Sequence, residues 1–470
     1  MDENTNQVAA SPQEYIPEEE SAESGFPIKK ILSLVIGLIV VLGIIAVVVF
    51  FVIPRFSPKK SENVTLTYWS IWEDSNALEQ VASEFTRINP NIKVTIEKQD
   101  IKASGKHVER LATRINNGTG PDIFRYHNSW VTELLTYMLP LPQEVVKATE
   151  LDSKFYPVVA KDLKVNGAYY GVPIHFDTLA LFVNTEIFKN NGVSTYPSTW
   201  FDLTSVSKQL TVKDADNKIL TSGIALGTYD NIAHASDIIS LLMIQNGADL
   251  KDLSGKTKGS AADTLDFYTS FAKGEGKVWD DTIENSKLAF ANGSLAMYIG
   301  YSWDIFEIRA LSPNLSFATL PVPHLPLDQK VPYRSSTVAS YWVEGVSSKT
   351  THPKEAFEFL KFLASKESME KLYAEQAKTR LFGELYPRSD MAKLLSDNTI
   401  IYPFVEQGEN AQSTIFSSDT FDEAMTDGLN AYLGNAVRAI INDNSSPESA
   451  VETLSAGVKQ IYSRYGSQTE

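Results

Sequence analysis

From Val64 onward the apolar residues of this chain change their spacing repeatedly, and the order of those changes restricts the fold more than any other feature. Val64, Leu66 and Tyr68 alternate with Thr65, Thr67 and Trp69, the period-two pattern of a strand. Leu78, Val81, Phe85 and Ile88 then recur at helical spacing, with Ser75 or Asn76 ahead of them as a cap. Asn89-Pro90-Asn91 breaks that helix, and Ile92, Val94 and Ile96 alternate again. Val108, Leu111 and Ile115 make the next helix, closed by Gly118-Thr119-Gly120-Pro121, and Asp122-Ile123-Phe124 opens a third strand. Strands that alternate with helices in this way predict a parallel sheet in an α/β domain. Ligands of such sheets sit beyond the carboxyl ends of the strands, where the loops Ser70–Ser75 and Arg125–Trp130 fall.

Ahead of this body lies a segment of different character. Residues 1–28 are acidic and Ser-rich with no hydrophobic period, a composition too poor in apolar residues to fold, so a disordered tail is expected. Lys29 and Lys30 then precede an uncharged run from Ile31 to Ile53, rich in Val, Ile and Leu. As a helix it spans roughly 34 Å, enough for a hydrocarbon core of about 30 Å. A cleavable signal peptide has a shorter apolar stretch and a small-residue cleavage site, whereas this run ends in Val52-Ile53-Pro54-Arg55. It therefore reads as an uncleaved single-pass anchor, followed by a linker over residues 54–63. Flanking charge, Lys29 and Lys30 against Arg55, Lys59 and Lys60, leans toward a cytoplasmic body by one residue.

Composition excludes several functions. With 42 Lys and Arg against 58 Asp and Glu, the net charge of −16 argues against nucleic-acid binding, which needs clustered cations. A chain with 0 Cys has no thiol catalysis, no cysteine-ligated zinc and no lipidated cysteine. The six His, at 107, 127, 175, 234, 324 and 352, show no metal-binding spacing. Asp214-Ala215-Asp216-Asn217 opens like a calcium loop but lacks its Gly and closing Glu, so a β-turn between strands is expected. No metal and no cofactor is called for. At 470 residues, two or more domains are expected, and 7 Trp with 20 Tyr belong in a core or on a binding surface.

The segments VTLTYWSIWE, PDIFRYHNSW, GVPIHFDTLALFVN, FANGSLAMYIGYSW and HPKEAFEFLKFL occur in that order along the chain. Together they resemble the extracellular solute-binding proteins of ABC importers, in particular the large family that binds sugars and oligosaccharides, and the similarity runs from about Val64 to Tyr465. The resemblance implies a periplasmic-binding-protein-like α/β fold, two lobes around a hinged cleft, here preceded by one transmembrane helix. It implies one lobe of residues 64–174 plus 331–380 and a second of 175–330 plus 381–470. The residues agree where they are testable. Pro353 followed by Ala356, Phe357, Phe359, Leu360 and Leu363 reads as a core-facing amphipathic helix, and Thr178 to Asn184 as a buried strand.

A sugar presents hydroxyls and an apolar C–H face, so its site combines aromatic platforms with Asp, Glu, Asn and Arg. Trp72-Glu73, after the first strand, is such a combination, though alone it is equally a surface loop with one packed Trp. The resemblance implies ligand contacts at His127 and Asn128 after the third strand, with Asn128 the better candidate and His127 otherwise a solvated loop residue. It likewise implies that Asp177 binds sugar hydroxyls and that Trp303 stacks on a ring; the alternatives are a turn Asp and a core Trp. Tyr229 and His234 in the Leu226–Ser236 loop, Tyr341 in SSTVASYWVEG and, last, Tyr386 in LYPRSD are weaker candidates on the same grounds. At SSTVASYWVEG many relatives carry a Gly pair where this chain has Ala339-Ser340.

The function implied is capture of a carbohydrate and its delivery to ABC permease subunits, by a monomer held to the bilayer through Ile31–Ile53. A capture protein facing the cytoplasm has nothing to deliver inward, so the body is expected outside the cell. The alternatives are a glycosidase, needing two carboxylates about 5–10 Å apart, and the binding module of a sensory system. Catalytic residues are not expected.

Overall fold

The computed structural model describes residues 28–52, 63–72, 75–101, 106–326, 334–422 and 425–465. The expected tail and linker, Glu73 and the lobe boundary between residues 330 and 331 lie wholly or mainly outside these. The chain divides into two units, Met1–Glu62 and Asn63–Glu470. In the first, helix α1 (Ile28–Val47) continues as a π-helical stretch over Val48–Val52. Its side chains from Ile31 to Phe50 are exposed, and the helix is long and apolar enough to cross a membrane.

The second unit is built on two sheets. Strands β1 (Val64–Ser70), β2 (Ile92–Lys98) and β3 (Ile123–His127) are parallel, with helices α2 (Ser75–Ile88) and α3 (His107–Asn116) as their crossovers. This is the expected alternation. Strand β4 (Val172–Pro173) and the late strand β10 (Trp342–Val346) complete the sheet in the order β2-β1-β3-β10-β4, and β10 runs antiparallel to both neighbours. The sheet is therefore mixed. Helix α6 (Pro353–Leu363) covers it: Phe359 is buried with its ring 6.1 Å from Tyr68 and 5.0 Å from Phe85 of α2. Each such buried ring contributes about 1.5–3 kcal/mol of hydrophobic stabilisation.

The second sheet has the order β7-β6-β8 and is wholly antiparallel: β7 (Met297–Gly300), β6 (Ala180–Asn184) and β8 (Phe317–Pro321). All of β6 is buried. Helices α7 (Met425–Asn442) and α8 (Pro447–Tyr465) pack on each other, and Leu429, Leu433, Val437, Leu454 and Val458 on them are buried.

Two short strands join the sheets. The chain leaves the first sheet at β4, runs through β5 (Asp177–Thr178) and enters the second at β6. It returns from β8 through β9 (Ala339–Ser340) to β10. These passing strands pair antiparallel, with Asp177 opposite Ser340 and Thr178 opposite Ala339. The Asp214–Asn217 segment is a turn between strands, as expected: Asp214 Oδ1 accepts from the amides of Asp216 and Lys218, and Asn217 takes a left-handed φ of 61°.

Candidate functional site

The passing strands gather four of the candidate residues. Asp177 is 6% exposed, and all its carboxylate bonds are to protein: Oδ1 accepts from Thr178 N at 2.8 Å, Oδ2 from the amide (3.0 Å) and hydroxyl of Ser302. Burial pushes its carboxyl well above the usual range, although those donors pull it back. Opposite it, Ser340 Oγ lies 2.9 Å from His127 Nε2. His127 is not a solvated loop residue; it ends β3 and is buried, with Trp342 at 5.0 Å. Its Nδ1 accepts from Ser129 N, so the ring proton sits on Nε2 and is donated to Ser340. Burial, assisted by nearby His175, drives its pKa down to about 3 and keeps the ring neutral.

Asn128 and Tyr341 are bonded to one another along the backbone and the side chain: Asn128 N donates to Tyr341 O, and Tyr341 N to Asn128 Oδ1. Both converge on Asp162, a residue with no signal in the sequence pattern. Asp162 Oδ2 accepts from Asn128 Nδ2 at 3.2 Å and from the Tyr341 hydroxyl at 2.7 Å, while Oδ1 accepts from Ser413 Oγ at 2.6 Å. Burial raises the Asp162 carboxyl against the pull of these donors. Asn128 and Asp162 line a cavity of about 860 Å³, with Thr132, Gln412, Ser413 and Thr414. That falls within the ~300–1,000 Å³ common for small-molecule sites. Of the candidates, Asn128 alone lines it.

The aromatic candidates stand to either side. Trp303 is partly buried, stacks on Tyr301 at 4.2 Å and 16°, and follows Ser302, which holds Asp177. His234, 6.1 Å from Trp303, opens helix α4 (Ala235–Gln245) in a left-handed conformation, φ 59°. Its Nε2 donates to Asp304 Oδ2 at 2.8 Å, and its Nδ1 faces Ser418 Oγ at 2.8 Å and Asp419 Oδ2 at 3.3 Å. Burial alone would lower its pKa, but the carboxylates of Asp304, Asp419 and Asp237 outweigh it and push His234 up to about 9. Asp304, the first residue of helix α5 (Asp304–Leu311), also accepts from Tyr298 and pairs with Lys287 at 2.9 Å. Burial opposes its ionisation, yet His234 and Lys287 hold it well below the usual range. Trp72, just after β1, meets Trp342 edge-on at 5.6 Å and Phe421 at 5.3 Å.

The structure thus brings Asp177, His127, Asn128 and Tyr341 to the passing strands, with Trp303 and His234 beside one end and Trp72 beside Trp342. Tyr229 is not brought there. It packs on α7, donating to Asn430 O at 3.0 Å. Tyr386 lies against Tyr373 at 5.5 Å. Glu73 is outside the described residues. Among the described residues no group of three or more metal-ligating side chains is gathered.

Comparison with known proteins agrees with this architecture. The model of the bacterial extracellular solute-binding protein family matches residues 70–370, and the chain belongs to that family. It is 23% identical over 417 residues to the multiple sugar-binding protein of Streptococcus mutans, covering 83% of this chain and 94% of the relative. It is 23% identical over 434 residues to an uncharacterized ABC transporter extracellular-binding protein of Pyrococcus horikoshii, covering 87% and 91%. Among solved structures, the sugar-binding protein MalE of Xanthomonas citri superposes with a TM-score of 0.69 at 19% identity, covering 86% of this chain and 100% of that one. A cyclo/maltodextrin-binding protein complexed with maltotetraose gives 0.68 at 17%, covering 86% and 99%. The fold is the two-lobed α/β fold of the periplasmic binding proteins.

Proposed function

We propose that the protein captures a carbohydrate outside the cell and delivers it to an ABC permease, remaining tethered to the membrane by α1. The observation that carries this reading is the convergence of Asp177, Asn128 and Tyr341 on the paired strands β5 and β9, with Trp303 and Trp72 flanking them. Strands that pass between two sheets form the hinge, so side chains there feel both lobes and report closure. The lobes would be residues 64–174 plus 331–380 and 175–330 plus 381–470. In this reading Trp303 offers the face turned from Tyr301 to a sugar ring, and the polar groups around Asp162 bind hydroxyls. The multiple sugar-binding and maltodextrin-binding relatives support a carbohydrate as the ligand.

The test is a thermal-shift screen of the full-length chain, in a detergent without a sugar headgroup, against mono-, di- and oligosaccharides. A ligand at 100 times its Kd adds about 2.7 kcal/mol of stability. Trp303→Ala is expected to weaken the binding found by about thirtyfold, or 2 kcal/mol, on calorimetric titration. Release of cleaved product in place of stoichiometric retention would make the protein an enzyme and overturn the reading.

A further inference from the structure

The segment Ser417–Asp422 is held at both ends and strained in the middle. At one end the Ser418 amide donates to the Asp237 carboxylate at 3.1 Å, Ser418 Oγ meets His234, and Asn430 Nδ2 donates to Ser417 O. At the other, Asp422 Oδ2 accepts from Thr426 N at 3.0 Å in the first turn of α7. Between these anchors Asp419 and Phe421 both adopt left-handed backbone conformations, φ 53° and 56°. Such values are costly for residues with a Cβ, more so for a bulky aromatic one, and persist only where surrounding contacts hold them.

What the strain achieves is the position of one ring. Phe421 rests on Trp72 with centroids 5.3 Å apart and planes tilted by 54°. A sugar held between two aromatic faces needs each face about 4 Å away, hence roughly 8 Å between the rings. At 5.3 Å no sugar fits between them. Trp342 meets Trp72 edge-on at 5.6 Å from another direction. Phe421 therefore leaves no room for a sugar on the side of Trp72 that it occupies.

We infer that Phe421 is a built-in occupant of the Trp72 platform, displaced by the ligand, and that it sets the threshold of affinity a ligand must exceed to be taken. The inference rests on the carbohydrate reading for the identity of that ligand, but not for the movement. Ser418 and Asp422 stay anchored while residues 419–421 swing. The released backbone returns to an ordinary φ at two positions, which offsets part of the loss of the Asp419–His234 contact at 3.3 Å. Every ligand that stacks on Trp72 binds more weakly by the cost of moving Phe421, so a weak one is held too loosely to be taken.

The experiment uses Phe421→Gly, which removes the ring and suits the left-handed backbone. An aromatic contact of this kind is worth ~0.5–1.5 kcal/mol, so removing the competitor should tighten carbohydrate binding by about two- to twelvefold on calorimetric titration of the full-length chain. Trp72→Ala in the same background should abolish the gain. Weaker binding by Phe421→Gly would make Phe421 a wall of the site, and unchanged binding would make the contact irrelevant; either overturns the inference. A readout independent of any ligand is the 19F spectrum of the chain labelled with 5-fluorotryptophan, its Trp72 resonance identified by Trp72→Phe. Phe421→Gly should shift the Trp72 resonance, because the ring resting on it is gone. A Trp72 resonance unmoved by Phe421→Gly shows that the ring does not rest on Trp72 and sinks the proposal even if no sugar binds.

Discussion

His234 is a buried cation held in place by three carboxylates, and its energetics follow from that. Its pKa is about 9 in the folded chain against 6.5 in the unfolded one. A raised basic group stabilises the fold fully below the unfolded pKa, and that stability is lost as pH rises through the folded pKa. The window is therefore pH 6.5 to 9, and the loss across it is about 2–3 kcal/mol. Asp237, which burial raises to about 6 against the pull of His234 and Ser418, titrates below this window. His234→Gln is expected to destabilise the protein markedly at pH 6 and much less at pH 9.5, as read by chemical unfolding at the two values. Equal losses at both would mean a neutral imidazole. Asp304 keeps Lys287 as a partner in the variant, so the chain should still fold.

At the scale of elements, the strongest test lies in the pairing of β3 with β10. Arg125 and Glu344 sit directly opposite one another, both fully buried, with Arg125 Nε donating to Glu344 Oε1 at 2.8 Å and Nη2 to the Tyr68 hydroxyl at 2.9 Å. Glu344→Ala strands a buried guanidinium and should cost about 3–5 kcal/mol in urea unfolding, whereas replacing both residues by apolar ones of similar volume should cost far less. If the single and double variants are equally unstable, the strand contact rather than the charge pair carries the effect. This pair also marks where sequence reading stopped. The order from β1 through β3 was legible because each element carries its own period. The antiparallel return of β10 was not, since no local pattern in Trp342–Val346 names a partner 219 residues away. The site divides the same way. Asp177, Asn128 and Tyr341 were named from the sequence, and the structure gathers them. Asp162 was missed because its partners Asn128, Tyr341 and Ser413 lie 34, 179 and 251 residues off, and a lone Asp at a helix end has no pattern. His127 was named as a ligand contact with a solvated loop residue as the alternative, and its burial was not legible because Ser340 and Trp342 arrive only with β9 and β10.

For the molecule as a whole, α1 is the segment that bears on location, being long and apolar enough to cross a membrane. Its side chains from Ile31 to Phe50 are exposed along the helix, an arrangement water penalises at ~25 cal/mol per Å² of apolar surface and a bilayer does not. With the helix as an uncleaved anchor and the body outside, protease added to intact spheroplasts should remove residues 63–470 and leave a membrane-bound stump. A body protected until lysis would reverse the topology. A body recovered free of membrane with its N-terminus beyond residue 53 would make α1 a cleaved leader.

The sheet order has a temporal consequence. The strand that closes onto β3 is not synthesised until the chain has reached residue 346. At ~5–20 residues per second, a separation of 219 residues leaves β3 with an open edge for about 10–40 s. During that interval the N-terminal half cannot complete its main sheet, however favourable its local periods. A chain bound for the far side of a membrane gains from this delay, because a translocation channel accepts an extended polypeptide and refuses a finished lobe. The late return of β10 therefore sets the earliest moment at which the first sheet can close.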